Sequence, residues 1–266
     1  MPSSSRLRAF PLLTLVAVAI LAACGDDEAS GGGGNGTGNG GGGGGGGGGG
    51  LQLADGGASL GAPQKGLATY YAATGKGSCL FEASPNDLMV VAPNRAKYWE
   101  NSALCGGCLK VTGAKGSVIV RVVDSCPIDQ PENDCGDTGA DLDLSAQAFA
   151  QIDDPKKGKI EVTFELVACT VQGPMQYRFK EGSSQYWTAI QVRNIHIPVS
   201  KLEYKKDGAW VDIPRVDYNY FIAQKGVGLQ PNGLALRVTG RDGQTVEETL
   251  PGIADGQVVT GTQQFK

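Results

Sequence analysis

Two aromatic residues, Tyr186 and Trp187, stand side by side in the stretch 178–194, Arg-Phe-Lys-Glu-Gly-Ser-Ser-Gln-Tyr-Trp-Thr-Ala-Ile-Gln-Val-Arg-Asn. Rings are costly to leave in water, so an exposed pair implies a partner. On a β-sheet face the usual partner is a sugar, whose C–H faces stack on the rings. Adjacent residues of a regular strand point to opposite faces. Both rings can face outward only at a bulge or strand end, which Gly182-Ser-Ser184 permits. Buried, the same stretch is an ordinary strand, and periodicity alone does not choose. The cysteines are the second reactive group. Besides Cys24 there are six: Cys79, Cys105, Cys108, Cys126, Cys135 and Cys169. An even number in an exported domain implies disulfides. Cys105-Gly-Gly-Cys108 also has the spacing of a redox or zinc pair. However, there is no second C-x-x-C, and the only histidine, His196, lies far downstream. Three disulfides and no metal is the reading. The acidic run Asp129, Glu132, Asp134, Asp137 and Asp141 lacks the spacing and glycine of a calcium loop and reads as a solvated loop.

Not all of the 266 residues are suited to fold. The apolar run 11–23 follows Arg6 and Arg8 and is shorter than the roughly 20 residues of a membrane span. It reads as a secretory signal over 1–23. Leu21-Ala22-Ala23-Cys24 looks like a bacterial lipobox, which would make Cys24 the lipidated N-terminus of the mature chain. Residues 31–50 contain 17 glycines. Ordering such a tract is entropically expensive, so 24–62 reads as a tether with a reach on the order of 30–35 Å. The net charge is −4, with 10 basic and 14 acidic residues in 63–171 against 11 and 9 in 172–266. Neither part has the basic excess that nucleic-acid binding requires.

The elements that must position these residues fall into two groups. Over 63–171, β-like runs occur at 66–71, 88–92, 108–112, 117–123 and 159–167, with one helix at Ser145–Ile152, for which Ser145 is the N-cap. This pattern predicts a small β-barrel. Over 172–266 eight strands are predicted, at 175–179, 187–192, 197–204, 210–213, 221–223, 234–239, 245–250 and 258–261. Turn signals such as Pro231-Asn232-Gly233 separate them, which predicts an immunoglobulin-like β-sandwich. The boundary is placed at Val171–Pro174. Trp99 and Trp210 read as core, and His196 as structural.

Taken together, several motifs resemble the microbial expansins. They are Gly66-Leu-Ala-Thr-Tyr-Tyr71, Cys105-Gly-Gly-Cys108, Val122-Val-Asp-Ser-Cys-Pro127, Leu142-Asp-Leu-Ser-Ala-Gln-Ala-Phe149, Lys180-Glu-Gly-Ser-Ser-Gln-Tyr-Trp187, Ile190-Gln-Val-Arg-Asn194 and Asp217-Tyr-Asn219. They occur in family order across 63–266. The resemblance implies an all-β fold, a six-stranded double-psi β-barrel followed by a family-63 carbohydrate-binding sandwich. It implies loosening of cellulose-rich plant walls without hydrolysis. By position, the barrel groove would hold Thr69, Tyr71, Asp124 and Asp143, with Asp143 matching the aspartate on which wall activity depends. Without the resemblance, Asp143 reads as a capping carboxylate of the Ser145 helix. The sandwich would bind glucan through Tyr186, Trp187 and Tyr218, with Lys180 in support. The family pattern suggests pairings Cys79–Cys105 and Cys108–Cys169, leaving Cys126–Cys135. Cys126 stands where some bacterial members have tyrosine, and resembles fungal expansin-like proteins instead.

Inverting hydrolysis needs an acid and a base about 6.5–9.5 Å apart. In the similar barrel of family-45 endoglucanases the base follows the Thr-x-Tyr motif by two residues, where this chain has Ala73. A weak endoglucanase is therefore a minor alternative, with Asp124 as deputy base. A lytic transglycosylase of the rare lipoprotein A type is another, although its barrel carries an essential histidine and this one has none. The main alternative is an adhesin that binds walls without loosening them. The partners expected are cellulose and related β-glucans, with peptidoglycan as a competitor. No cofactor and no nucleic acid are expected. A monomer held to a bacterial membrane through Cys24, at the outer membrane or cell surface, completes the expectation.

Overall fold

The structure is a computed structural model that describes residues 57–128, 135–136 and 139–266. The segment read as a signal, Cys24 and the glycine tract lie outside the described residues. So do Asp129, Glu132, Asp134 and Asp137.

Six strands close into a barrel. They are β1 (Gln64–Tyr71), β2 (Val90–Pro93), β3 (Cys108–Gly113), β4 (Gly116–Val122), β5 (Leu142–Ser145) and β6 (Ile160–Val167). Their order around the barrel is β1-β5-β2-β4-β3-β6, with β1–β5 and β2–β4 parallel and the other pairs antiparallel. This is the double-psi barrel. Alternation along the strands sends Leu109, Val111, Val118, Val120, Val122, Ile160, Val162 and Phe164 inward. Two helices attach to it, α1 (Arg95–Tyr98) and α2 (Ala146–Ile152). The Ser145 hydroxyl caps α2 by accepting from the Ala148 N–H at 3.1 Å, and Ala148, Phe149 and Ile152 are buried.

The sandwich pairs two four-stranded antiparallel sheets. One, in order β10-β9-β12-β13, is made of Val199–Lys206 (β9), Ala209–Asp212 (β10), Leu234–Gly240 (β12) and Thr245–Leu250 (β13). The other, in order β11-β8-β7-β14, is made of Gln176–Phe179 (β7), Thr188–Arg193 (β8), Phe221–Ala223 (β11) and Val258–Thr260 (β14). Tyr177, Phe179, Ile190, Leu202, Leu236 and Phe265 fill the space between them.

Every strand predicted from the sequence forms within two residues of its expected ends. Two expectations need correction. The tether, read as reaching Ala62, stops short. Leu60 donates to the Leu166 carbonyl at 2.8 Å, the Ala58 carbonyl accepts from Ala168, and Leu60 packs against the sandwich core. An apolar side chain with a strand edge available does not stay in solvent. Trp99 is 4% exposed, as a core residue should be, but Trp210 lies half-buried on the outer face of its sheet. There the Lys205 ammonium is 5.5 Å and the Arg237 guanidinium 4.7 Å from the Trp210 ring centre.

Barrel and sandwich meet through buried polar contacts. Glu100, Asn101 and Ser102 are three successive residues at positive φ (45°, 56°, 65°), and each costs on the order of 1–3 kcal/mol unless its surroundings enforce it. The enforcement is visible. The buried Ser102 hydroxyl donates to the Val216 carbonyl at 2.8 Å and accepts from the Asn219 N–H at 3.0 Å. The Cys79 carbonyl accepts from buried Gln191 at 2.8 Å and from Asn219 at 3.2 Å. Arg241 forks onto Glu100 at 2.5 and 3.0 Å.

Ser102→Ala leaves a buried carbonyl and a buried N–H unpaired, so a loss of about 1–3 kcal/mol is expected in urea unfolding. A second expectation concerns acid. The two hydrogen bonds from Arg237, at 2.8 and 2.9 Å, hold the Glu203 carboxyl at about 2, below its ordinary 4.5; burial opposes them and Lys201 assists. A depressed carboxyl stabilises the fold fully above the unfolded value, and that stabilisation is lost as pH falls toward 2. Stability measured between pH 5 and 2 should therefore fall less steeply in Glu203→Gln than in the parent.

Candidate functional site

Strand β1 supplies two of the predicted groove residues. Thr69 and Tyr71 are two apart and share a face. The parallel register places Thr69 opposite Asp143 of β5, and the Thr69 hydroxyl donates to an Asp143 oxygen at 2.8 Å. The other Asp143 oxygen lies 3.9 Å from the Cys126 sulfur, which its disulfide has left without a proton to donate. Capping of α2 belongs to Ser145, so Asp143 is not the capping carboxylate.

Asp124 follows β4 and is held from one side. Its Oδ1 accepts from the Ser78 N–H at 2.7 Å, the Ser78 hydroxyl at 2.8 Å and the Ser125 N–H at 2.8 Å. Gly77 makes this possible, since a Cβ there would stand 2.3 Å from the Asp124 side chain. Tyr71 lies near both aspartates. Its phenol is buried and makes no hydrogen bond. Burial pushes that phenol far above its ordinary range, and the charges of Asp124 and then Asp143 push the same way. Tyr71 therefore stays protonated near two carboxylates. Beneath it, the Cys126–Cys135 disulfide packs with Ala92 and Ala140 under Leu67 and Tyr71. The remaining disulfides join Cys79 to Cys105 and Cys108 to Cys169. Three disulfides fit an exported protein.

Asp141 has a different role. It accepts from the Leu67 N–H, Lys97 and Tyr98 at 2.8–3.0 Å. Burial raises its carboxyl, but these bonds outweigh burial and hold it below the usual range. That makes it a structural acid.

On the sandwich, Trp187 and Tyr218 pack half-buried against Ala189, Tyr220 and Ile222 on the outer face of the β11-β8-β7-β14 sheet. Lys180 sits 5.5 Å from the Tyr220 ring centre. Tyr186 adjoins this cluster through Trp187. It occupies the corner of a tight turn closed by the Ser184 N–H donating to the Trp187 carbonyl at 2.6 Å, and is 75% exposed. The 226–228 loop braces the turn, with the Gly228 N–H donating to the Gln185 carbonyl at 3.0 Å. Gly226, at φ +65°, approaches so closely that a Cβ would stand 2.0 Å from that carbonyl. The two ring-bearing residues thus sit at a turn, where the sequence allowed a bulge or strand end.

Sequence reasoning missed the residues that join the two parts. Arg95 of α1 donates to the Ser125 hydroxyl at 3.0 Å and pairs with Asp217 at 2.9 Å, while Trp99 donates to the Asp217 carbonyl at 3.0 Å. Asp217 precedes Tyr218 of the aromatic cluster, and Ser125 follows Asp124 of the barrel. A continuous chain of contacts therefore runs from ring to carboxylate. The available signal was Asp217 itself, beside Tyr218 in a quoted motif. Tyr220 was also missed, although it repeats Tyr218 at strand spacing. His196 lies at the junction, with Nε2 3.1 Å from the Val171 carbonyl.

A closed double-psi barrel clamped to a two-sheet sandwich, with carboxylates on one and rings on the other, defines the expansin class of two-domain all-β proteins. A family model described as lytic transglycolase matches residues 91–164, within the barrel. Expansin-YoaJ of Bacillus subtilis is 38% identical over 213 residues, covering 76% of this chain and 86% of its own. Expansin-like protein 5 of Dictyostelium discoideum is 29% identical over 209 residues, covering 74% and 83%. The crystal structure of an expansin from Clavibacter michiganensis superposes with a TM-score of 0.66 at 30% identity, over 77% of this chain and 98% of that one. A mutant of that expansin, similar to this chain by the same measures, was crystallised in complex with cellohexaose. The chain belongs to the expansin family.

Gly77→Ala should force Asp124 out of its three hydrogen bonds. Overpacking of this kind costs about 1–3 kcal/mol, readable as a lower midpoint in thermal unfolding. An unchanged midpoint would mean that Asp124 is not held as described.

Proposed function

We propose that this protein binds cellulose or a related β-glucan along one continuous surface and loosens plant walls without cutting a bond. Trp187, Tyr218 and Tyr186, with Lys180 in support, form the docking platform. Thr69, Tyr71, Asp124 and Asp143 form the barrel end of the same surface. The observation that carries the reading is the bridge Tyr218–Asp217–Arg95–Ser125–Asp124, which connects platform and carboxylates through bonded neighbours. The complex of the Clavibacter relative with cellohexaose supports the choice of ligand.

A non-lytic action is the favoured chemistry. Asp143 is hydrogen-bonded to Thr69, and Ala73 offers no carboxylate where a hydrolase barrel carries its base. His196 bonds a backbone carbonyl at the junction and is not available to a lytic mechanism in the barrel. Loosening would then come from competition for the non-covalent contacts between glucans. The motif Leu21-Ala22-Ala23-Cys24 supports Cys24 as a lipid anchor; incorporation of labelled fatty acid, abolished in Cys24→Ser, is its test.

Extension of plant-wall strips should be measured beside reducing-sugar release with the full chain. The expected result is extension with no sugar above background, lost in Asp143→Asn. Sugar release that disappears in Asp143→Asn would sink the non-lytic reading, and binding without extension would make the protein an adhesin. In a cellulose pull-down, Trp187→Ala should weaken binding by about tenfold or more, equivalent to ~1.4 kcal/mol. Undiminished binding by a folded variant would remove the platform.

A further inference from the structure

Among the described residues, seven other than glycine adopt left-handed backbone. Six have an evident reason. Asn101, Asn194, Asp207 and Asn219 are of the types that tolerate it, and Glu100 and Ser102 are held in it by the bonds of the junction. Leu80, at φ 54°, is the exception. It is bulky and apolar, its side chain joins neither core, and it is 43% exposed. Its neighbours account for the turn but not for the leucine. The Cys79 N–H donates to the Val123 carbonyl at 3.1 Å, Gln191 and Asn219 hold the Cys79 carbonyl, and the Leu80 N–H closes on the Gly77 carbonyl at 2.9 Å. Phe81 then turns back to lie 5.6 Å from both the Arg121 and Arg193 guanidiniums. Glycine would make this turn without strain. A single exposed leucine on ordinary backbone, such as Leu229, needs no explanation. An exposed leucine at a position suited to glycine does, since backbone strain of this kind clusters where ligands are clamped.

The place of Leu80 points to its ligand. Ser78, two residues before it, donates through its N–H and its hydroxyl to Asp124. Gln191, which holds the Cys79 carbonyl, shares the outer face of β8 with Ala189, against which the aromatic cluster packs. Asn219, which holds the same carbonyl, lies between Tyr218 and Tyr220. Residues 78–80 therefore run from the barrel carboxylates to the ring-bearing face of the sandwich. The other link between these halves, Arg95 with Asp217, is an ion pair and offers no apolar surface. We propose that Leu80 is a further glucan-contacting residue, which covers the seam between the aromatic platform and the barrel groove and packs against the C–H face of a sugar in the chain that spans both. That the ligand is a glucan rests on the proposed function.

Binding isotherms of the full chain on cellulose, read beside thermal unfolding, test this. Asparagine tolerates left-handed backbone and lacks the apolar surface. Leu80→Asn should therefore unfold at the parental temperature or above it, and bind cellulose about threefold to tenfold more weakly, the loss that corresponds to leaving the exposed part of a leucine uncovered. Leu80→Met should keep parental affinity. If Leu80→Asn does not fold, Leu80→Gly takes its place, since glycine fits the backbone. Undiminished affinity in folded Leu80→Asn, with binding lost in Trp187→Ala, would overturn the role of Leu80 and leave the platform standing. Undiminished binding in Trp187→Ala would remove the platform, and the seam contact with it. Equal weakening in Leu80→Met, or a lower unfolding temperature in Leu80→Asn, would make the leucine a structural residue and overturn the proposal.

Discussion

Two peptide groups of the sandwich, the Val216 carbonyl and the Asn219 N–H, end on a single barrel hydroxyl, that of Ser102. The hydroxyl can reach both only because three residues before and at it adopt left-handed backbone. Domains joined by a short link move relative to one another by default unless the interface prevents it. Here the interface is a set of buried, directional bonds, and a sliding motion would break several at once. Everything that depends on a fixed spacing between Asp124 and Tyr218 depends on this junction first.

Within that frame the two parts of the site are built by different means. The barrel part comes from register. A parallel pair puts Thr69 level with Asp143, and the disulfide Cys126–Cys135 fills the floor beneath Tyr71. The sandwich part is built at the ends of β8 and β11, where Trp187, Tyr218 and Tyr220 pack with Ala189 and Ile222 on one outer face. Tyr186 escapes alternation because it sits on a turn, and the loop at Gly226 keeps that turn from opening.

The periodic signals in the sequence carried most of the fold. Strands such as Phe221–Ala223 and Thr245–Leu250 were read to the residue, because apolar runs bounded by Gly, Pro and Asn leave little freedom. Strand β5 was missed, since Leu142–Ser145 is short and runs directly into a helix, so it reads as that helix's lead-in. Trp210 was misread because a large ring suggests burial, whereas two neighbouring cations shield it on an outer face. Arg95 and Ser125 could not be found at all. A residue whose task is to bridge two domains has no local pattern, and its partner Asp217 lies 122 positions away.

The clamp at Ser102 has a further consequence for the kind of polymer such a surface can accept. A receptor whose two halves flex can wrap around a coiled or branched chain. One whose halves are locked can hold only a ligand that is already straight over the whole distance between them. Under the proposed reading, selectivity would then arise from the shape of the polymer as much as from its chemistry: extended glucans would bridge both halves, and helical ones would touch one and miss the other.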